Sequence, residues 1–206
     1  MQGKRLKTGV LISGSGTNLQ ALIDACTAPD FPAEIVLVIS NRADAGGLER
    51  AKRAGIATKL IPHKEYPSRE AFDMAIDTAL RGADVEFVCL AGFMRLLTPG
   101  FVKKWHDRLI NVHPSLLPAF KGIDAVEQAL AAGVQQTGCT VHFVRPEMDA
   151  GPILLQVEVP VEAGDTSDSL HDRIRRAEHR AYPQALRLIA AGRVSVSGET
   201  ANISED

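Results

Sequence analysis

The sequence predicts a single-domain α/β protein with a Rossmann-like three-layer fold. Its twisted sheet should be mostly parallel at the start and acquire antiparallel strands in the C-terminal part. Two observations carry this expectation. Through the first half, short apolar runs alternate with longer stretches of helical period, as parallel strands flanked by helices do. In the second half, the runs Thr140–Val144 and Ile153–Val159 alternate in character, like strands of an antiparallel pair.

Gly9–Ile12 ends a first strand, the turn Ser13–Thr17 follows, and Asn18–Cys26 reads as a helix with Leu19, Leu22 and Ile23 inward. Ile35–Ile39 is apolar throughout, as expected of a strand covered on both faces. A helix over Gly47–Ala54 and a short strand at Thr58–Ile61 come next. Ser68 caps a helix that sets Phe72, Ala75, Ile76 and Ala79 on one face and ends at Gly82. Val85–Ala91 is another buried strand. Thr98 before Pro99 opens a short helix, because proline at the first helical position lacks only an N–H that would be unpaired anyway. Leu109–Val112 returns as a strand.

After the proline-punctuated loop His113–Gly122, a helix is expected at Ala125–Ala132. A long amphipathic helix then spans Ser167–Ala191, with Leu170, Ile174, Ala177, Ala181 and Leu188 inward. Pro183 should kink or break it, since proline removes one helical hydrogen bond. Residues 193–206 form a polar tail, a weak strand or a disordered end. The single domain is read as an N-terminal half (1–100) and a second half (101–192), with no linker between them.

Composition narrows the function classes. The 206 residues carry a net charge of −2, which argues against a nucleic-acid coat. No apolar stretch approaches the roughly 20 residues of a membrane span. Cys26, Cys89 and Cys139 are scattered and without metal-type spacing, so they read as reduced, packed thiols of a cytoplasmic protein. The opening residues MQGKRLKTGVLISG suit a first strand better than a leader.

Ser13-Gly14-Ser15-Gly16-Thr17-Asn18 lies where strand one meets helix one. Glycines let the backbone approach a ligand, and the helix start offers N–H groups to an anion. A dinucleotide fingerprint would need glycine where Leu19 stands and an acid where Asn41-Arg42 stand. A P-loop would need a lysine, and a nucleophile elbow would need glycines in place of Ser13 and Thr17. All three fail, which leaves simple phosphate binding or a tight turn without a ligand.

Asn111 and His113 bracket Val112 at a strand end, so both side chains point to one face. Ligands of open α/β sheets sit outside the carboxyl ends of strands. An asparagine amide can donate to a developing oxyanion, and a histidine can move protons near neutral pH. Asp149, in the turn-rich stretch Glu147–Pro152, is the candidate charge partner, because a nearby carboxylate favours an imidazolium. On these residues alone, a packing or turn role for the His-Pro pair and for Asp149 stays open.

Four segments together resemble a known family. They are Ile12–Gln20, Leu90-Ala91-Gly92-Phe93-Met94-Arg95, Asn111-Val112-His113-Pro114-Ser115-Leu116-Leu117-Pro118, and Met148-Asp149-Ala150-Gly151-Pro152-Ile153. In this order they resemble the folate-dependent formyltransferases, and the Gly-Ser-Gly-Thr-Asn loop is similar to that of their glycinamide ribonucleotide branch. The resemblance implies transfer of a formyl group from 10-formyltetrahydrofolate, as co-substrate, to the amine of N1-(5-phosphoribosyl)glycinamide in purine biosynthesis. It implies no metal, no nucleic acid or membrane partner, and a monomer or homodimer. It makes Asn111, His113 and Asp149 the catalytic set. Gly16, Thr17, Asn18 and Glu178 would contact the ribonucleotide. Folate would lie along Arg69, Met94, Arg95, Leu96, Leu97, Asn111, Pro146, Glu147 and Met148. The chain departs from some relatives at Lys121-Gly122-Ile123-Asp124-Ala125, where they carry histidines.

Overall fold

The computed structural model describes residues 4–204 and divides into two compact units, one up to Ile110 and one from Asn111. The reading of the N-terminus as strand rather than leader falls partly on Met1–Gly3, outside the described residues, as do the tail's Glu205 and Asp206.

In the first unit β1 (Leu6–Ile12), β2 (Ala33–Ser40), β3 (Ala57–Leu60) and β4 (Phe87–Leu90) lie in the order β3-β2-β1-β4, and neighbouring strands pair parallel. Val10, Leu11, Ile12, Val38, Ile39, Val88 and Cys89 are buried, as the apolar runs required. Between the strands stand α1 (Thr17–Cys26), α2 (Gly46–Arg53) and α3 (Arg69–Gly82), and α4 (Pro99–Lys104) follows β4. The chain moves from β1 to β3 in one direction and returns past β1 to β4. Right-handed crossovers then set α1 and α2 on one face and α3 on the other. The strand order therefore reverses between β1 and β4, and their carboxyl ends are this unit's switch point.

The caps behave as expected. Ser68 accepts from Ala71 N at 3.1 Å, and Thr98 accepts from Phe101 N at 3.3 Å. Asp77 ties α3 to α4 by accepting 3.0 Å bonds from Trp105 Nε1, Lys104 Nζ and Arg81 Nε.

In the second unit, the strand β5 (Leu109–His113), which begins at the end of the first, leads into the loop to α5 (Ala125–Ala131). The strands β6 (Gln136–Phe143) and β7 (Ile153–Pro160) pair antiparallel, as the alternation predicted. β6 starts four residues earlier than expected, because Gly138 conceals the pattern. A Cβ there would stand 2.0 Å from Val157 O and 2.7 Å from Leu116 Cδ2.

The helix α6 (Ser167–Ala190) runs through Pro183 without the expected break. Ala177, Ala181, Tyr182, Ala185 and Leu186 are buried on both sides of the proline, and this packing outweighs one lost hydrogen bond. Leu188, expected inward, is only half-buried. The tail is not a disordered end over its described part. β8 (Val194–Ser197) and β9 (Thr200–Ile203) pair antiparallel around Gly198, whose φ of 58° suits a tight hairpin.

Replacing Gly138 by Ala should cost about 2–3 kcal/mol, because a backbone carbonyl cannot move aside without breaking the β6–β7 pairing. Urea denaturation measures this, and a loss below about 0.5 kcal/mol, the scale of a neutral surface change, would contradict the account.

Candidate active site

At the switch point of the first unit, Ser13 is buried. It donates from Oγ to Asn41 Oδ1 at 2.6 Å and accepts from Met94 N at 2.8 Å. Asn41 Nδ2 lies 3.2 Å from His63 Nδ1. The position where a dinucleotide site would carry an acid thus serves to hold the loop. Ser13 N also donates to Gly92 O at 3.1 Å, so the turn after β1 and the segment after β4 are joined.

Gly16 has φ 74°, and a Cβ on it would stand 2.5 Å from the Cα of Gly47. The glycine here is demanded twice, by its conformation and by the approach of α2. Gly47 N closes the contact by donating to Gly14 O at 3.1 Å. The N-terminus of α1 begins at Thr17 with no side-chain cap and no acid in its first turn, an arrangement open to an anion. Half-buried Arg50 donates to Ser15 O at 2.8 Å and to Gln20 Oε1 at 3.3 Å. It brings a positive charge to this loop that sequence reading had not singled out. Of the expected folate contacts, Arg69 donates to Leu96 O at 2.8 Å. Met94, Arg95 and Leu96 are exposed, whereas Leu97 is buried.

The second unit brings Asn111, His113 and Asp149 together. His113 is buried at the end of β5, and its Nε2 lies 2.8 Å from Phe120 O. A carbonyl only accepts, so Nε2 carries a proton and Nδ1 faces Asp149 Oδ2 at 3.6 Å. That distance is too long for a direct hydrogen bond. Asp149 Oδ2 accepts instead from Gly122 N at 2.8 Å. Asp149 has φ 50° and Phe120 φ 52°. Aspartate tolerates this conformation, but a phenylalanine must be held in it. Here the Phe120 carbonyl accepts from His113 and, at 3.3 Å, from Ser115 Oγ.

His142 is the member of this cluster that sequence reading missed. It is buried on β6, with Nε2 3.8 Å from Asp149 Oδ1 and 3.4 Å from Asn111 Nδ2. Its Nδ1 lies 3.0 Å from Phe143 O and must be the donor there. Nε2 is then the acceptor for the Asn111 amide. Burial pushes the His142 pKa down, against the opposing pull of the Phe143 carbonyl and Asp149. The ring stays neutral, and its lone pair orients Asn111. A histidine set between the apolar Val141 and Phe143 of a buried strand was the available signal.

Thr140, also missed, uses its whole hydroxyl capacity. It donates to Ser115 O at 2.7 Å and accepts from Leu117 N at 3.0 Å and Gln156 Nε2 at 2.9 Å. These bonds pin the loop that leaves His113. Pro146, Glu147 and Met148 are exposed in the β6–β7 loop, with the Met148 Cε 3.4 Å from where a Cβ of Gly122 would stand. Glu178 is buried on α6, which packs on β6 and β7. Asp124, at the family-variable position, is exposed and precedes α5 with φ 56°. Burial pushes the Cys139 thiol up to about 12, so it is no thiolate nucleophile. Among the described residues no group of three or more His, Cys, Asp or Glu is arranged to hold a metal ion, and no helix is long and apolar enough to cross a membrane.

In the second unit a strand-end amide, a histidine and a carboxylate converge, and the chain belongs to the formyl transferase family, whose model matches residues 6–186. Within it, the chain is 46% identical over 91% of its length to phosphoribosylglycinamide formyltransferase of Escherichia coli (strain K12), of which it covers 88%. Glycinamide ribonucleotide transformylase 1 of Symbiobacterium toebii has the same fold, with a TM-score of 0.96 at 50% identity over 99% of this chain and 96% of that one. The chain is also 55% identical, over 98% of its length, to part of the trifunctional purine biosynthetic protein adenosine-3 of Gallus gallus. It spans about a fifth of the length of such trifunctional relatives.

The depressed pKa of His142 has a consequence for stability. The unfolded chain binds a proton at this residue near its ordinary pKa of 6.5, whereas the folded protein resists it. Stability is therefore complete above about pH 6.5 and falls as the pH drops through and below that value. His142→Gln should be less stable at pH 8 yet lose less stability between pH 7 and 5 than the wild type. Urea midpoints across that range measure it, and parallel curves for the two proteins would refute the assignment.

Proposed function

We propose that the chain transfers the formyl group of 10-formyltetrahydrofolate to the primary amine of N1-(5-phosphoribosyl)glycinamide, yielding the N-formyl product and tetrahydrofolate in purine (IMP) biosynthesis. The observation that carries this reading is the convergence of Asn111, His113 and Asp149 in a chain so similar to relatives named for the reaction. The reading as a cytoplasmic enzyme rests on the scattered thiols, and its action on small molecules, as a monomer or homodimer, rests on the likeness to named relatives.

Gly16, Thr17 and Asn18 are assigned to the phosphate end of the ribonucleotide, where the uncapped start of α1 and the nearby Arg50 favour negative charge. Glu178 is assigned to the same substrate. Arg69, Met94, Arg95, Leu96, Leu97 and Pro146–Met148 are assigned to folate. Exposed Met94, Leu96 and Met148 suit an apolar ring. Holding both substrates in register can contribute up to roughly 7–11 kcal/mol in ideal cases.

The neutral amine attacks the formyl carbon, and a tetrahedral oxyanion forms. Asn111 gives one amide N–H to His142 and keeps the other for this oxygen. The Nε2–H of His113 is committed to Phe120, so the Nδ1 side, shared with Asp149, is the one assigned to the reaction. Asp149 acts there as the charge partner of the protonated ring. The new C–N bond forms, the bond from carbon to the folate N10 breaks, and a proton passes from the amine to N10 by way of His113 or water.

Purified protein given both substrates should form the N-formyl ribonucleotide and tetrahydrofolate in equal amounts. Formate release without formylated amine would overturn the reading in favour of a hydrolase. His113→Ala should lower kcat by about 10²–10⁴, the usual contribution of acid–base catalysis. It should also cost about 0.5–1.5 kcal/mol of stability, the net worth of one hydrogen bond, because the Phe120 carbonyl then keeps only its longer bond from Ser115 Oγ. Asn111→Ala should lower kcat by about 10²–10³, the cost of one oxyanion donor. Near-wild-type turnover in either variant, assayed below its melting temperature, would remove that residue from the mechanism.

A further inference from the structure

The loop between β6 and β7 carries Asp149 and the residues assigned to folate, yet its exposed part, Pro146–Met148, has little packing of its own. Its two ends are closed tightly. Phe143 N donates to Pro152 O at 2.9 Å, and a Cβ on Gly151 would stand 1.8 Å from Phe143 O. The same Cβ position is 3.1 Å from Arg145 Cγ, so the stem of Arg145 crosses from the entering limb of the loop to the leaving limb. Its side chain is only 6% exposed. A guanidinium so enclosed requires a counter-charge.

The C-terminal hairpin supplies such a charge. Glu199, at the turn between β8 and β9, accepts from Arg145 Nε at 3.2 Å through Oε1 and at 3.1 Å through Oε2. The hairpin is held in turn by Ser204 N, which donates to Arg193 O at 2.9 Å, and by the packing of β9 on β7. It therefore braces the loop at both limbs, through Arg145 before Asp149 and through β7 after it. All of this hairpin lies beyond residue 186, where the family match ends.

We propose that Glu199 is a positioning residue which, acting through Arg145, holds the Asp149 loop in its folate-binding geometry. The proposal rests on the function assigned above. It separates loop support from general stability, because Glu199 itself is 66% exposed and adds almost nothing to a core.

The test compares Glu199→Gln and Glu199→Asp in the full chain, by steady-state kinetics, amide hydrogen exchange and thermal melting. Glu199→Gln should raise KM for 10-formyltetrahydrofolate about five- to tenfold, within the range for a residue acting through another. KM for the ribonucleotide should be unchanged. Amides 147–151 should exchange faster, while the melting temperature stays within about 2 °C. Glu199→Asp, which keeps the charge, should recover most of the loss. Unchanged KM together with unchanged exchange in the loop would overturn the proposal. So would faster exchange throughout β6, β7 and α6 with a matching fall in melting temperature, since that marks a merely structural residue. If the wild type transfers no formyl group, the functional reading fails, and faster exchange confined to 147–151 in Glu199→Gln still decides whether the brace exists.

Discussion

The second unit is organised around a carboxylate that is nearly enclosed. The Asp149 side chain is 11% exposed, and a charge so placed must be met by donors or opposite charge. Gly122 N gives it one hydrogen bond, and two histidines face it from different strands. The conformations of the surrounding loops follow from that demand. Asp149 adopts a positive φ, which brings its side chain to Gly122. Phe120 is held in a left-handed conformation from which its carbonyl reaches His113. Thr140 spends its one donor and both acceptor sites on the loop leaving β5.

Two histidines beside one carboxylate could compete for the same role, and their other nitrogens prevent this. His142 donates from Nδ1 to its neighbouring carbonyl and turns a lone pair towards Asn111. His113 donates from Nε2 to Phe120 and turns the opposite nitrogen towards Asp149. Backbone carbonyls thus select the tautomers, and the tautomers separate a ring that orients Asn111 from one that turns Nδ1 towards Asp149. In the first unit the backbone constrains in another way. Gly16 and Gly47 approach so closely that neither tolerates a side chain without movement, which sets the glycine loop against α2.

Much of this was legible in the sequence because it depends on local chemistry. Ser68 and Thr98 cap the helices they precede, and the alternation at Asn111 and His113 put both on the face where the site lies. What escaped depends on tertiary partners. His142 looked like an ordinary strand residue, since its meaning arises only when β6 brings it to Asn111. Gly16 suggested a ligand, but the approach of Gly47 is a sufficient reason for glycine by itself. Pro183 signalled a kink or break by local rules, and with burial on both sides of it the helix does not break. The hairpin after Gly192 has too few apolar residues to announce itself, and it is recognisable only through its pairing and its hold on Arg145.

The same distinction explains why chemistry of this kind can rest on so few residues. A donor for an oxyanion is effective only if its direction is set before charge develops, because reorientation during the reaction would cost what the bond returns. The amide of Asn111 cannot set its own direction, since rotation about its terminal bond is soft. A charged histidine in place of neutral His142 would repel its N–H instead of accepting it. Burial of His142 therefore does more than fill space. By keeping that ring uncharged, it maintains the acceptor that aims Asn111, while the single negative charge of Asp149 is left to His113.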